Sequence, residues 1–252
     1  MKVSIITVVF NAQDTIAGAI ASVAEQRHDD IEHIVIDGAS TDNTLNVIKA
    51  NSSSIAHIVS EPDAGIYDAM NKGLRLATGD VIGLLNADDV YQHRGVVADA
   101  VAVHQDQSLD ACYSDLVYVK ADDLSHVTRY WRSKEYVQGL CFKGWMPAHP
   151  TLFLKRRAYE KVGLFNTKLR YQADLEFCVR AFEVHKISSR YVPELWVRMR
   201  LGGVTNGSIK TMVMGNWESY LAMRALGLKR DPVSYFLIKF GAKLPQFFRK
   251  SV

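Results

Sequence analysis

Apolar positions along the first ninety residues fall into two alternating rhythms. Val3 to Val9 is a nearly continuous apolar, β-branched run, the pattern of a strand buried on both faces, and Ile16, Ile20 and Val23 then recur at helical spacing. The stretch "HIVIDGAST" repeats the cycle: Ile34, Val35 and Ile36 form a strand, and Ser40 or Thr41 caps a helix carrying Leu45 and Ile48. Ile55 to Val59 predicts a third strand, Tyr67 to Ala77 a third helix and Val81 to Leu85 a fourth strand. Strands separated by helices predict an α/β fold with a right-handed, mostly parallel sheet covered on both faces. Beyond Tyr91 the rhythm decays into a helix over Val96 to Val103, a strand in "ACYSDLVYV", a polar stretch, "TLFLKRRAYEKVGLF", and a helix from Asp174 to Val184. No Pro- or Gly-rich linker and no internal repeat interrupts the chain, so the second half is expected to complete a site begun by the first, with a helical tail from about Ser208.

Composition narrows the classes. A 252-residue chain with 48% hydrophobic and 23% charged residues is ordinary globular material, which excludes disordered and fibrous proteins. The N-terminal apolar run reads as a core strand rather than a leader peptide, and no stretch approaches membrane-spanning length. Cys112, Cys141 and Cys178 are odd in number and lack metal-type spacing, as expected of reduced thiols in a cytoplasmic protein. Residues 209–252 hold eight Lys and Arg against Glu218 and Asp231, a net +6, so the remainder carries −3. That distribution gives no basic face along the main body and argues against nucleic acid as a partner. It points instead to the tail "DPVSYFLIKFGAKLPQFFRKSV". A helix there sets Phe236 with Phe240 and Lys239 with Lys243, a pattern suited to peripheral contact with the anionic inner face of the cytoplasmic membrane. The competing reading packs these apolar residues on the catalytic domain or a second subunit.

In an open parallel sheet, ligands bind beyond the carboxyl ends of the strands. The polar residues there are Thr7 and Asn11, then Asp37, then Glu61 and Asp63, and finally Asp88 and Asp89 in "LLNADDVY". Five carboxylates converging on one edge repel unless something supplies cations or donors, and a nucleotide with a divalent cation does both. Asp37 before Gly38 also suits a plain turn, and Asp88-Asp89 also suits a helix cap. Asn71-Lys72-Gly73 lies inside a continuing helical pattern, where a glycine implies close packing or ligand approach.

The segments "SIITVVFNAQDTI", "IDGASTDNT", "EPDAGIYDAMNKGLRLATGDVIGLLNADD" and "HPTLFLKRRAYEKVGLFNTKLRYQADLEFCVRA" together resemble family 2 of the inverting, nucleotide-sugar-dependent glycosyltransferases, in consistent order over roughly residues 1–205. Within the family the sequence is similar to bacterial enzymes of exopolysaccharide and lipopolysaccharide assembly. The resemblance implies a GT-A (nucleotide-diphospho-sugar transferase) fold. A catalytic domain over residues 1–207 divides into a nucleotide-sugar half (1–91) and an acceptor half (92–207), followed by a basic helical tail (208–252). It implies a UDP-sugar donor, a glycan or polyprenyl-linked acceptor, and Mg²⁺ or Mn²⁺. Asp37 would bind the base or ribose, Asp88 the ribose or sugar, and Asp89 the metal on the diphosphate. Thr7, Asn11, Asp63, Asn71 and Lys72 would complete the donor site. Asn86 stands where many relatives have Asp, which leaves the metal one direct carboxylate. Asp174 in "YQADLEF" matches the family's base; Glu176 competes, with Arg180 four residues on as an ion-pair partner. His149 is a candidate for the acceptor site, and Arg198 or Arg200 for neutralising the leaving diphosphate from a flexible loop over Met199 to Ser208.

Rival functions fare worse on the residues. A sugar-phosphate nucleotidyltransferase needs a Gly-rich, Arg-containing loop where this chain has "FNAQDTI", and no G-x-G-x-x-G of a dinucleotide oxidoreductase follows any strand. A non-catalytic sugar-nucleotide binder or scaffold would be expected to lose Asp89 or Asp174, and both are present.

Overall fold

The computed structural model describes residues 1–202, 209–229 and 231–243. Its first half follows the predicted rhythm: β1 (Val3–Val9), α1 (Ile16–Ala24), β2 (Ile31–Asp37), α2 (Thr44–Ala50), β3 (His57–Ser60), α3 (Ile66–Leu76) and β4 (Val81–Leu84). β1 pairs in parallel with β2 on one side and β4 on the other, and every residue of β1 and β4 is buried. Alternate side chains reach opposite layers. Ile6, Ile34 and Ile36 pack with Tyr67, Met70 and Leu74 of α3, whereas Val9 and Val35 pack with Ile16, Ile20 and Ile48 of α1 and α2. Gly73 is the point of closest approach: a Cβ there would stand 2.4 Å from Ile6 Cγ2, which accounts for a glycine in mid-helix.

The second half adds β5 (Val90–Tyr91), α4 (Val96–His104), β6 (Ala111–Val119), β7 (Val127–Trp131), β8 (Phe153–Lys155), α5 (Arg156–Val162), α6 (Ala173–Val179), β9 (Ser189–Arg200), α7 (Ile209–Ala225) and α8 (Pro232–Lys243). α6 runs on into a π turn over Arg180–Val184. The sheet order is β3-β2-β1-β4-β8-β6-β9-β5, with β7 paired on β6. β8 is antiparallel to both β4 and β6, while β9 is parallel to β6. The first four strands are therefore parallel as expected, and the complete sheet is mixed. The twelve-residue β9 occupies part of the segment expected as a loop.

α7 and α8 are seated on the body. Tyr220, Met223, Leu228 and Tyr235 join the same core cluster as Ile6 and Ile34. Lys239, expected in an outward cationic row, is instead buried, with Nζ donating to Ser219 Oγ at 2.8 Å. Its partners in the expected rows, the side chains of Phe240 and Lys243, lie outside the described side chains, as do residues 244–252. The outer side of α7 exposes Val213, Met214, Trp217 and Leu221. No described helix is long and apolar enough to cross a membrane.

One ionic feature ties β1 to β2 and predicts acid behaviour. Glu32 is 4% exposed and accepts from Lys2 Nζ (2.8 Å), Ser4 Oγ (2.6 Å) and Thr78 N (2.7 Å). Burial alone would raise its pKa, but these donors outweigh it and hold the carboxyl at about 2, below its ordinary 4.5. A depressed carboxylate stabilises the fold fully above the unfolded pKa and loses that contribution as pH falls toward the folded one. The expected loss through this window is up to about 3 kcal/mol. Urea midpoints measured at about pH 6 and about pH 3 should fall steeply in the parent and less steeply in Glu32→Gln.

Candidate active site at the carboxyl edge of the sheet

Beyond β1 and β2 the backbone is drawn into tight, unusual turns. Asn11 (φ 49°) and Ala39 (φ 61°) both adopt left-handed conformations that cost non-glycine residues energy. The two loops hold one another: Asn11 Oδ1 accepts from Thr41 N at 2.8 Å, and Asn11 N donates to Ser40 Oγ at 2.8 Å. Asp37 is fully buried and accepts from the Ser40 backbone and hydroxyl and from Ser60 Oγ at 2.6 Å. Its carboxylate is held by the turn that it closes. Thr7 departs from the expected donor role, because strand alternation points it into the core. It sits 3.0 Å from Nε2 of His33, whose pKa burial lowers to about 4.

Asp63 does face this edge. Its Oδ1 accepts from Gly65 N at 2.8 Å, and its Oδ2 lies 2.5 Å from where a Cβ on Gly38 would stand. Phe10, 61% exposed, reaches within 3.5 Å of the same point. Phe10 was not singled out from sequence; the signal was an aromatic directly after a buried strand, where exposure cannot be read. Lys72 pairs with Glu61 at 2.9 Å and donates to Pro62 O at 2.8 Å, so it braces the loop carrying Asp63. Asn71, expected on the donor, is buried and bonded at both ends of its amide to the Phe165 backbone, 2.9 Å each, which locks α3 to the segment after α5.

The loop after β4 and the start of α6 meet across the sheet edge. Asp174 Oδ1 accepts from Tyr67 OH at 3.2 Å and from Leu175 N at 2.8 Å, while Oδ2 lies 3.7 Å from His149 Nδ1. His149 Nε2 is in turn 3.3 Å from Asn86 Nδ2. Burial and the Asp174 charge raise the pKa of Tyr67 well above its ordinary value, so it stays a hydrogen-bond donor. Tyr67 was visible in sequence only as a helix-start residue. Glu176 is buried and forked with Arg180 at 2.7 Å; Arg180 also donates to the Val162 and Leu164 carbonyls. That carboxylate is committed to structure, and Asp174 is the one facing the crevice.

Arg198 and Arg200 are not on a loop but on β9. Arg198 Nη1 donates to Leu124 O at 2.6 Å. Arg200 Nη1 donates to Asp88 O at 2.6 Å and Nε to Ala121 O, so Arg200 fixes the Asp88 backbone. Residues 203–208 of the expected loop lie outside the described residues.

α7 contributes to the site from behind. The Glu218 carboxylate accepts from three consecutive backbone N–H groups, Arg170 (2.6 Å), Tyr171 (2.7 Å) and Gln172 (3.0 Å), immediately before the helix that carries Asp174. Hydrogen bonds to a charged group contribute about 1.5–3 kcal/mol. Glu218→Ala should therefore cost roughly 2–3 kcal/mol of stability and also reduce turnover, because the entry to α6 loses its anchor. Denaturant titration alongside kinetics checks this; unchanged turnover would make the clamp purely structural.

The sequence profile of glycosyl transferase family 2 matches residues 4–163. The chain belongs to glycosyl transferase family 2. Its relatives include a PGL/p-HBAD biosynthesis glycosyltransferase of Mycobacterium bovis, 30% identical over 193 residues that cover 75% of this chain and 73% of the relative. A glycosyltransferase of Mycobacterium tuberculosis is 34% identical over 185 residues, 71% of this chain and 68% of that one. Among solved structures, S. aureus TarS 1-349 in complex with UDP-GlcNAc superposes with a TM-score of 0.67 at 16% identity, covering 95% of this chain and 70% of that one. The mannosyltransferase PcManGT from Pyrobaculum calidifontis, in complex with GDP-Man and Mn²⁺, gives 0.61 at 18% identity, covering 96% and 80%. This family 2 glycosyltransferase thus has the GT-A fold.

The GT-A neighbour with Mn²⁺ raises the question of which groups here suit a cation. Asp89 is fully buried, and neither carboxylate oxygen has a hydrogen-bond partner among the described residues. Burial, then the adjacent Asp88, push its pKa well up, with the charge of Arg200 pulling the other way. Asp88 is half-buried, and desolvation raises its pKa against a backbone hydrogen bond and the nearby Arg200 charge. Two neighbouring carboxylates so short of positive charge fit a divalent cation. The order differs from expectation: the open carboxylate is that of Asp88, and Asp89, expected to ligate the metal, is sealed behind it.

Proposed function

We propose that this glycosyltransferase moves a single sugar, with inversion, from a UDP-sugar to a hydroxyl of a glycan or lipid-linked acceptor, using Mg²⁺ or Mn²⁺, in cell-surface polysaccharide assembly. The observation that carries the reading is the placement of Asp174. Its carboxylate is held by Tyr67 and Leu175 through one oxygen, and the other is turned toward His149. An inverting displacement needs one base on the acceptor side, poised to take the hydroxyl proton as the bond to the anomeric carbon forms. Asp174 takes that proton. Phe10 supplies an apolar face for the nucleobase and Asp63 an acceptor beside it, while Asn11 and Asp37 shape the turns beneath. Asp88, with Asp89 behind it, would hold the metal, which when bound neutralises the leaving diphosphate.

The UDP-GlcNAc of the TarS complex supports a uridine donor, and the GDP-Man of the Pyrobaculum enzyme keeps other bases within the test. A cytoplasmic protein meeting lipid-linked acceptors at the inner membrane face is supported by the exposed Val213, Met214, Trp217 and Leu221 of α7 and the net +6 of residues 209–252. Failure to co-sediment with anionic vesicles would remove the membrane part. The activity is tested by nucleoside diphosphate release from a panel of UDP-, GDP- and dTDP-sugars with acceptor extracts. Binding of a nucleotide sugar without any release would favour the non-catalytic binder.

A further inference from the structure

Asn86, His149 and Asp174 form a chain across the crevice, and the chemistry of its middle member is dictated by its two ends. Asn86 presents its amide nitrogen to His149 Nε2 at 3.3 Å. The amide nitrogen always donates, so in this arrangement Nε2 is the acceptor. An imidazole nitrogen that meets an N–H donor can only accept. The ring proton is then on Nδ1, since the bond made by one ring nitrogen sets the state of the other. Burial lowers the pKa of His149, against the pull of Asp174 and Asp88. Nδ1–H thereby faces Asp174 Oδ2, 3.7 Å away. Tyr67 and Leu175 occupy Oδ1, so Oδ2 is the oxygen left for the acceptor proton.

We propose that Asn86 and His149 are a positioning pair: Asn86 fixes the Nδ1–H tautomer of His149, and His149 holds Oδ2 of Asp174 in the orientation that receives the proton. This rests on Asp174 being the base. An Asp at position 86 would accept from Nε2–H instead, leaving Nδ1 bare against the Asp174 carboxylate. The asparagine is therefore matched to the histidine rather than being a weakened metal ligand.

The tautomer is read directly from long-range ¹H–¹⁵N spectra of uniformly labelled protein without substrate, with His149 assigned by its loss in His149→Gln. The expected result is a protonated-type Nδ1 and an unprotonated Nε2, reversed or charged in Asn86→Asp. A protonated Nε2 in the parent overturns the proposal. Turnover supplies the second reading. The amide nitrogen of Asn overlies Nδ1 and that of Gln overlies Nε2, so His149→Asn should stay within about threefold of the parent. His149→Gln, His149→Ala and Asn86→Asp should each fall about 10–100-fold in kcat, a positioning loss, and the two histidine variants should leave the Kd for UDP and Mn²⁺ unchanged within about twofold. His149→Asn as impaired as His149→Ala, or losses confined to UDP affinity, would overturn it. Asp174→Asn separates the two levels. If it is inactive while the histidine variants fail to split, only the pair is wrong; if it is active, the function reading itself falls.

Discussion

Asp174→Asn is expected to lower sugar transfer by about 10²–10⁴-fold, the usual contribution of a general base, while UDP binding changes by less than about twofold. The amide keeps the volume and the acceptor oxygen toward Tyr67 and Leu175, so the fold of the α6 entry survives. What disappears is the lone pair that takes the acceptor proton. Glu176→Gln offers the contrast. It breaks the fork with Arg180, which also holds the Val162 and Leu164 carbonyls, so its effect belongs on stability. A variant of Asp174 with near-parental turnover would hand the base to another group.

The second large effect divides the acidic pair. Asp88→Asn should remove the metal-dependent part of donor binding, at least about tenfold in Kd, and turnover should fall with it. Chelation of the parent should reproduce the variant. Asp89→Asn should behave differently, because it replaces a buried carboxyl whose oxygens have no hydrogen-bond partner among the described residues and which Asp88 disfavours when charged. Its melting temperature should equal or exceed the parent's, and metal-dependent donor binding should survive. Loss of binding in Asp89→Asn with retention in Asp88→Asn would restore Asp89 as the direct ligand.

The sheet that carries this site was legible where local pattern decides structure. The β-branched run Val3–Val9 and the apolar, Val- and Tyr-bearing Ala111–Val119 announce buried strands, and the position of Asp174 at a helix start follows from the polar residues before "LEFCV". β9 was not legible. "SRYVPELWVRMR" contains a proline and four charges and is largely half-exposed, and it becomes a strand only by pairing with β6, some eighty residues earlier. Its arginines were read as mobile for the same reason. Thr7 and Asn71 looked like crevice residues because their partners, His33 and Phe165, are distant in sequence. Asp37 shows the opposite case: the plain turn reading, set aside for a ligand, is what its bonds to Ser40 and Ser60 describe. Residue type at the sheet edge names candidates, and only the hydrogen-bond inventory says which carboxylates are still unspent.

Water can stand in for the acceptor hydroxyl, which allows the central claim to be tested before the acceptor is identified. An α-linked UDP-sugar is incubated with enzyme and Mn²⁺, and the anomer first released by slow hydrolysis is followed by ¹H NMR faster than the free sugar mutarotates. Single displacement with Asp174 as base predicts the β-anomer first, at a rate that falls with Asp174→Asn. Release of the α-anomer first would contradict it.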